Sequence, residues 1–429
     1  MNKNFLKELP ELVRAQVISE DTAQKITAYY GNKPNSSNSR LFIVFGILGA
    51  LLVGMGIVLI IAHNWDTLSK IAKLTIGFLP LLIGQVACGY LIQKGSESKS
   101  WREGCATFLF FAVAISISIV SQVYNIEGNL GQFLLLWMVL VIPIVYVLRS
   151  SMASLLFICG ISWHAYEVAY FNSQHNYAVW YWVLVVAILP FYYLEFVRKH
   201  IKNNFFYFHS WFLVLSVTVC LGVFIDDHGE FIMIAYMSLF SAFVTQSKLK
   251  AFATNRVLSN AYLVVGSLGI MSLLLALSFD WYWNELSESS LEGFTSGIEF
   301  TVATIITCGS GLLLARLFRT EPPEDVNTKS FAFILFIILF FIGISSPRIS
   351  QLLVNLIILV FAVNTIRSGA KQNHLGILNY GLLIITALVL CRFFDTDLSF
   401  VIRGLLFIAV GAGFFAANFY LIQQRKKAA

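Results

Sequence analysis

Charged residues are what this sequence has least of. Only 12% of its 429 residues are Asp, Glu, Lys or Arg, half the roughly 25% of an average soluble domain. That share cannot cover a soluble surface of this size, and the mean hydropathy of +0.77 agrees. A water-soluble enzyme, a disordered chain and a nucleic-acid-binding domain are excluded on that ground. Catalytic signatures are missing too. There is no P-loop, no Gly-x-Ser-x-Gly, no His-Glu-x-x-His and no dinucleotide fingerprint. Cysteines number six. Cys88, Cys105, Cys159, Cys220, Cys308 and Cys391 sit within or at the ends of apolar runs, without metal-ligand spacing. They read as small buried apolar residues, so neither a metal nor a cofactor is expected.

What is present is apolar length. Hydrophobic residues make up 58% of the chain and aromatic residues 15%. A membrane-crossing helix needs roughly 20 apolar residues, and about 14 such stretches are found by a sliding window. They run over 41–62, 70–93, 104–124, 131–148, 152–171, 177–197, 204–225, 229–246, 258–280, 297–318, 330–345, 349–366, 374–394 and 398–422. Backbone groups must be satisfied internally in lipid, and the runs lack the alternation of barrel strands, so they are helices. The expected fold class is all-α: a polytopic helix bundle over 41–424, preceded by a cytoplasmic helical hairpin and linker over 1–40. The partner this implies first is the lipid bilayer. No nucleic acid is expected.

Orientation follows from Lys and Arg. With both termini cytoplasmic, inner segments hold 24 of the 29 Lys and Arg, and only Lys70, Lys73, Arg348, Arg392 and Arg403 lie outside. This is the positive-inside asymmetry. Lys329 counts among the inner-loop cations in this scheme, and residues 281–296 form the longest outer loop. The tail reads as two helices, about 5–16 and 20–30. Ser19 is a candidate N-cap, Glu20 and Asp21 stand in the first turn, and Gly31 is the stop. Leu6, Leu9, Leu12 and Val13 form an apolar stripe. The hairpin packs on itself or on the inner leaflet, or it docks a cytoplasmic protein partner.

Ionisable residues inside spans are costly and are functional candidates by default. Glu195 has Arg198 at i+3 as a ready partner. His209, among Phe206, Tyr207, Phe208 and Trp211, reads as part of an aromatic belt. The outer half holds the sharper set. His164 and Glu167 share a helix face in the fifth span, and Lys73, Gln122, Asn355, Arg392 and Arg403 lie at similar depth. His63, Asp66 and Asp395 would stand at the rim. These residues either make separate satisfied pairs, with Arg392, Asp395, Asp397 and Arg403 as an ion-pair knot, or converge on one outward-facing polar cavity. The loop Asp226, Asp227, His228, Gly229, Glu230 is rich in metal-binding groups but matches no metal motif. Pro80, Pro143 and Pro190 fall within spans and predict kinks. The small residues Ala50 and Gly54, and Gly411 to Ala417, favour close helix approach.

A set of residues resembles a known family. It comprises Gly46 and Gly49 in the first span, the run Ala62, His63, Asn64, Trp65, Asp66, then Ser121, Gln122 and Tyr124, with Trp137 and Pro143. Arg392, Phe393, Phe394 and Asp395 add a weaker likeness near the end. The pattern is similar to prokaryotic predicted membrane proteins grouped under a domain of unknown function, best over residues 1–165. The resemblance implies a multi-pass protein of the bacterial cytoplasmic (inner) membrane and assigns no residue a role. Read physically, Trp65 is an interface anchor, and Asn64 and Asp66 can cap the helix that starts near Lys70.

Three functions compete. A transporter-like or permease-like protein for a small polar or amphiphilic solute fits the span number, short loops and outer polar cluster. A non-transporting scaffold, sensor or envelope-assembly factor fits the tail. An enzyme on a lipid-linked substrate, with Glu167 or His164 as acid/base, has no motif behind it.

Overall fold

The computed structural model describes residues 3–31, 65–94, 99–171, 175–199, 203–224, 229–253, 257–288, 297–320 and 327–393, with isolated positions between 401 and 419. The expected spans 41–62 and 398–422 fall outside these residues or nearly so, as do His63, Asp395, Arg403 and the 226–228 loop. Every element among the described residues is helical, without a strand. Ten of these helices are long and apolar enough to cross a membrane, or eleven if one sharply bent pair counts as a span.

The chain divides into two compact units, residues 1–75 and 76–429. In the first, α1 (Lys3–Arg14) packs on α2 (Glu20–Gly31) and buries Leu9. Ser19 caps α2, its Oγ accepting from the Thr22 N–H at 3.3 Å. A 3-10 turn follows at Trp65–Thr67. The cap of α3 (Lys70–Gln93) is Ser69, whose Oγ accepts from Ala72 N–H at 3.3 Å. That corrects the expectation for Asp66. A cap must immediately precede the first helical residue, and the 3-10 turn takes up Asp66.

The second unit continues α3 and adds twelve further described helices. They are α4 (Lys99–Tyr124), α5 (Leu130–Leu148), α6 (Ser151–Tyr166), α7 (His175–Tyr192), α8 (Asn204–Leu221) and α9 (Gly229–Lys248). Next come α10 (Ala261–Ala276), α11 (Trp281–Glu288), α12 (Ile298–Thr320), α13 (Ala332–Ser345), α14 (Pro347–Lys371) and α15 (Leu375–Phe393). They pack as two neighbourhoods. In one, α6 touches α4, α5, α7 and α8. In the other, α9 gathers α10, α12 and α13, while α14 lies on α10, α11, α13 and α15. Contacts of α8 with α9 and α10 join them. Large apolar side chains such as Val86, Val186 and Leu352 point outward, as a lipid-facing surface requires.

Local chemistry sets the helix ends. Asn129 caps α5 through its Oδ1, which accepts from Gln132 N–H at 2.8 Å, and Arg149 closes α5 in the left-handed region. Ser150 caps α6, and Glu103 reaches across from α4 to accept from the N–H groups of Ser151 and Met152 at 3.0 and 2.8 Å. A carboxylate at a helix N-terminus meets both the open donors and the positive dipole end. Pro80, Pro143 and Pro190 all sit inside helices. After Pro190 the helix widens into a π-turn at Tyr193–Val197.

Several expectations change. The span placed at 258–280 is not one straight helix. α10 ends at Ala276, and α11 leaves at 73° after a four-residue break. Residues 281–288, expected in a loop, form α11 and bury Tyr282, Trp283 and Leu286. The Glu195 partner is not Arg198. Lys199 reaches it at 2.7 Å and Arg149 at 3.9 Å, because the i,i+4 spacing suits Glu before Lys. His209 is no belt residue, since it is fully buried. Its Nδ1–H donates to Phe205 O at 2.7 Å, and Nε2 lies 3.0 Å from Ser154 Oγ. Cys159 and Cys308 are exposed on the bundle surface rather than buried.

Candidate functional site

The break between α10 and α11 is where polar chemistry converges. A helix broken within a membrane protein frees backbone carbonyls that need partners, and such backbone is tolerated only where protein or water supplies them. Here protein does. The carbonyl of Ser278, in the break, accepts from Gln351 Nε2 at 3.3 Å and from Asn355 Nδ2 at 3.4 Å. The Ser278 hydroxyl accepts from Arg392 Nη2 at 3.2 Å and donates to Leu275 O at 2.6 Å. The Arg392 guanidinium also lies over the Phe279 ring, 4.8 Å from its centroid. Ser278 itself is fully buried.

Sequence explains how these groups meet. Gln351 and Asn355 stand four residues apart on α14 and so share a face. Asn355 Nδ2 also donates to Gln351 O at 2.7 Å, which fixes its amide plane. Asn355 Oδ1 is then buried with no hydrogen-bond partner among the described residues. Arg392 comes from the last turn of α15, where a cation is favoured by the helix dipole. The bend is held from the other side by Trp283, whose Nε1–H donates to Leu277 O at 2.7 Å. Tyr282 OH donates to Glu230 O at 3.0 Å. Gly343 on α13 leaves room for the Trp283 ring, since a Cβ there would stand 2.6 Å from its Cε3. A cavity of about 360 Å³ lies beside this arrangement, lined by Asn284 of α11 and by Ser346, Pro347, Arg348 and Ile349. Arg348 precedes Gln351 by three residues, so Arg348, Gln351 and Asn355 step from the cavity to the break.

Of the outer-half residues singled out in the sequence, Asn355 and Arg392 are brought together. His164 and Glu167 belong to the other neighbourhood. His164 is buried, and its Nδ1 lies 2.8 Å from Gly131 O. A carbonyl only accepts, so that nitrogen carries the proton, and the contact ties α6 to the start of α5. Glu167 is half-buried and opens a π-turn over Glu167–Phe171. Gln122 is exposed near the end of α4. Lys73 lies in the first unit with its Nζ 5.1 Å from the centre of the Trp65 ring. Asp66 stands in the 3-10 turn. Arg403, Asp395 and His63 lie outside the described residues.

Sequence reasoning missed Ser278 and Gln351, and it placed Lys329 in a loop. Lys329 is in fact buried, 5% exposed, at the start of the helical segment that leads into α13. Its Nζ donates to Ser267 Oγ at 2.6 Å and lies 4.8 Å from the Tyr380 ring centre. No signal distinguishes it. Asn327, Thr328, Lys329 and Ser330 read as any polar loop before an apolar run.

No curated protein and no solved structure matches this chain. Residues 10–154 are similar to the family described as "Predicted membrane protein (DUF2157)", a membrane domain of unknown function.

Proposed function

We propose that the chain is a transporter-like or permease-like protein for a small polar or amphiphilic solute. In this reading about 14 spans cross the bacterial inner membrane with both termini in the cytoplasm, as the count of apolar stretches and the Lys and Arg asymmetry favour. The observation that carries it is the 73° break between α10 and α11, with Gln351, Asn355 and Arg392 turned onto Ser278. Discontinuous helices with polar groups gathered at the break are the usual way transporters build a solute site at membrane depth. An open cavity lined by Asn284 and Arg348 lies on neighbouring residues of the same helices and supports the reading.

The test is flux in proteoliposomes of the full chain, read as current on solid-supported membranes for a panel of carboxylates, amino acids and sugars. At least one solute should evoke current, and Arg392→Ala should abolish it while the protein still inserts. Unchanged flux in Arg392→Ala would sink the reading.

A non-transporting scaffold, sensor or envelope-assembly factor rests on the α1–α2 hairpin, where a cytoplasmic protein partner would dock. Its test is removal of residues 1–38. Loss of function together with a co-purifying protein supports it, and normal function of the truncated chain ends it.

A further inference from the structure

Lys329 is an ammonium-bearing side chain inside a helix bundle, and no carboxylate lies within ion-pair distance of it among the described residues. Its surroundings offer a hydroxyl, Ser267 Oγ at 2.6 Å, and the face of Tyr380. Those two are already tied to each other. Tyr380 OH donates to Ser267 O at 3.0 Å, and Ser267 Oγ lies 3.3 Å from Tyr380 OH. An ammonium has three donors, and one hydrogen bond plus one ring face leaves it short of acceptors. The next residue adds to the shortage. Ser330 is fully buried, and its Oγ has no hydrogen-bond partner among the described residues.

The position compounds the imbalance. Lys329 lies in the 3-10 turn Thr328–Phe331 that opens α13, with Asn327 as its cap. Helix N-termini are positive and favour anions, so a cation is on the wrong end. A buried cation and the positive end of a helix thus coincide, beside a residue with an unsatisfied buried hydroxyl, and no carboxylate among the described residues answers them. A buried amine of this kind either gives up its proton or calls for a counter-charge.

We propose that the Lys329, Ser330, Ser267 and Tyr380 cluster, where α10, α13 and α15 meet, is a binding site for a small monovalent anion. The ammonium is a compact point charge that suits a halide or a single carboxylate oxygen, and the unpartnered hydroxyl of Ser330 is of a kind to add a second donor. The site is distinct from the break at Ser278 and does not depend on the transport reading.

The experiment is thermal unfolding of the purified full chain in detergent, titrated with sodium chloride or sodium acetate against sodium gluconate at constant ionic strength. Chloride, acetate or both should raise the Tm of the wild type saturably, by roughly 3 °C or more. Lys329→Met should lose the anion dependence, and Lys329→Arg should keep it. Should Lys329→Met fail to accumulate, Ser330→Ala, which leaves the charge in place, should shift the anion midpoint at least threefold. A wild type whose Tm is the same in all three salts overturns the site, as does an unaltered midpoint in the variants. Anion binding without flux would end the transport reading and leave this site standing. Flux of a neutral solute with no anion dependence of Tm would do the reverse.

Discussion

Arg392 donates to the hydroxyl of Ser278 at 3.2 Å across 114 residues of sequence. That contact joins the end of α15 to the break between α10 and α11, and the Phe279 ring under the guanidinium completes it. Truncation to Arg392→Ala should lower stability by about 1–3 kcal/mol, the scale of one charge-assisted hydrogen bond and one desolvated cation–π contact. Arg392→Lys should recover part of it, since lysine keeps the charge but not the planar fork. Thermal or denaturant unfolding in micelles measures both. A loss below about 0.5 kcal/mol for the alanine variant would mean that the break holds without this grip.

Gly343 and Trp283 form a coupled pair. A methyl group at position 343 would meet the Trp283 ring at 2.6 Å. Gly343→Ala should cost about 1–3 kcal/mol by overpacking. In the Trp283→Leu background the same change should cost less, and the double-mutant cycle reads the difference. Additive losses would show that α11 does not lie against α13 as described.

His209 is a structural residue of the core. It bonds Phe205 O and Ser154 Oγ and packs against Phe196 with ring centres 4.9 Å apart. His209→Phe keeps the ring but strands the Ser154 hydroxyl, with an expected loss of about 1–3 kcal/mol. Pairing it with Ser154→Ala should restore much of that, because removing both partners is cheaper than removing one. Wild-type Tm in His209→Phe would return the residue to an interfacial belt.

The α11 helix gives a labelling pattern that a loop would not. Glu285 is exposed, whereas Leu286 is fully buried. In a background without the six native cysteines, Glu285→Cys should react with a membrane-impermeant maleimide and Leu286→Cys should resist it. Equal labelling at both would mean that residues 281–288 are an unpacked loop.

How far the residues themselves announced this arrangement varies along the chain. Apolar runs such as 70–93 and 130–148 declare their helices through composition alone. Ser19 declares a cap by its oxygen atom placed just before a run. Asn355 and Arg392 stood out as polar groups in apolar surroundings, and the fold brings both to Ser278. Ser278 itself was silent, because a serine is unremarkable in an apolar segment and its importance comes from a break that lies around it. The break was hidden as well. Leu277, Ser278, Phe279 and Asp280 contain neither proline nor glycine, so no local punctuation marks the 73° turn. It is held instead by Trp283, Gln351, Asn355 and Arg392, which lie from 5 to 114 residues away.

Lys329 makes the same point in reverse. Counting Lys and Arg by side of the membrane treats each as an exposed label, and Lys99 and Arg149 are indeed exposed. It fails for Lys329, whose exposure depends on whether α10 and α15 close over it. Composition by itself determined that this is a multi-helix membrane protein, because hydropathy is a local property that adds up residue by residue. Tertiary structure alone decided where one helix breaks, which polar groups satisfy the break and which cation is taken inside. Those outcomes depend on which helix faces touch, and packing across distant segments sets that.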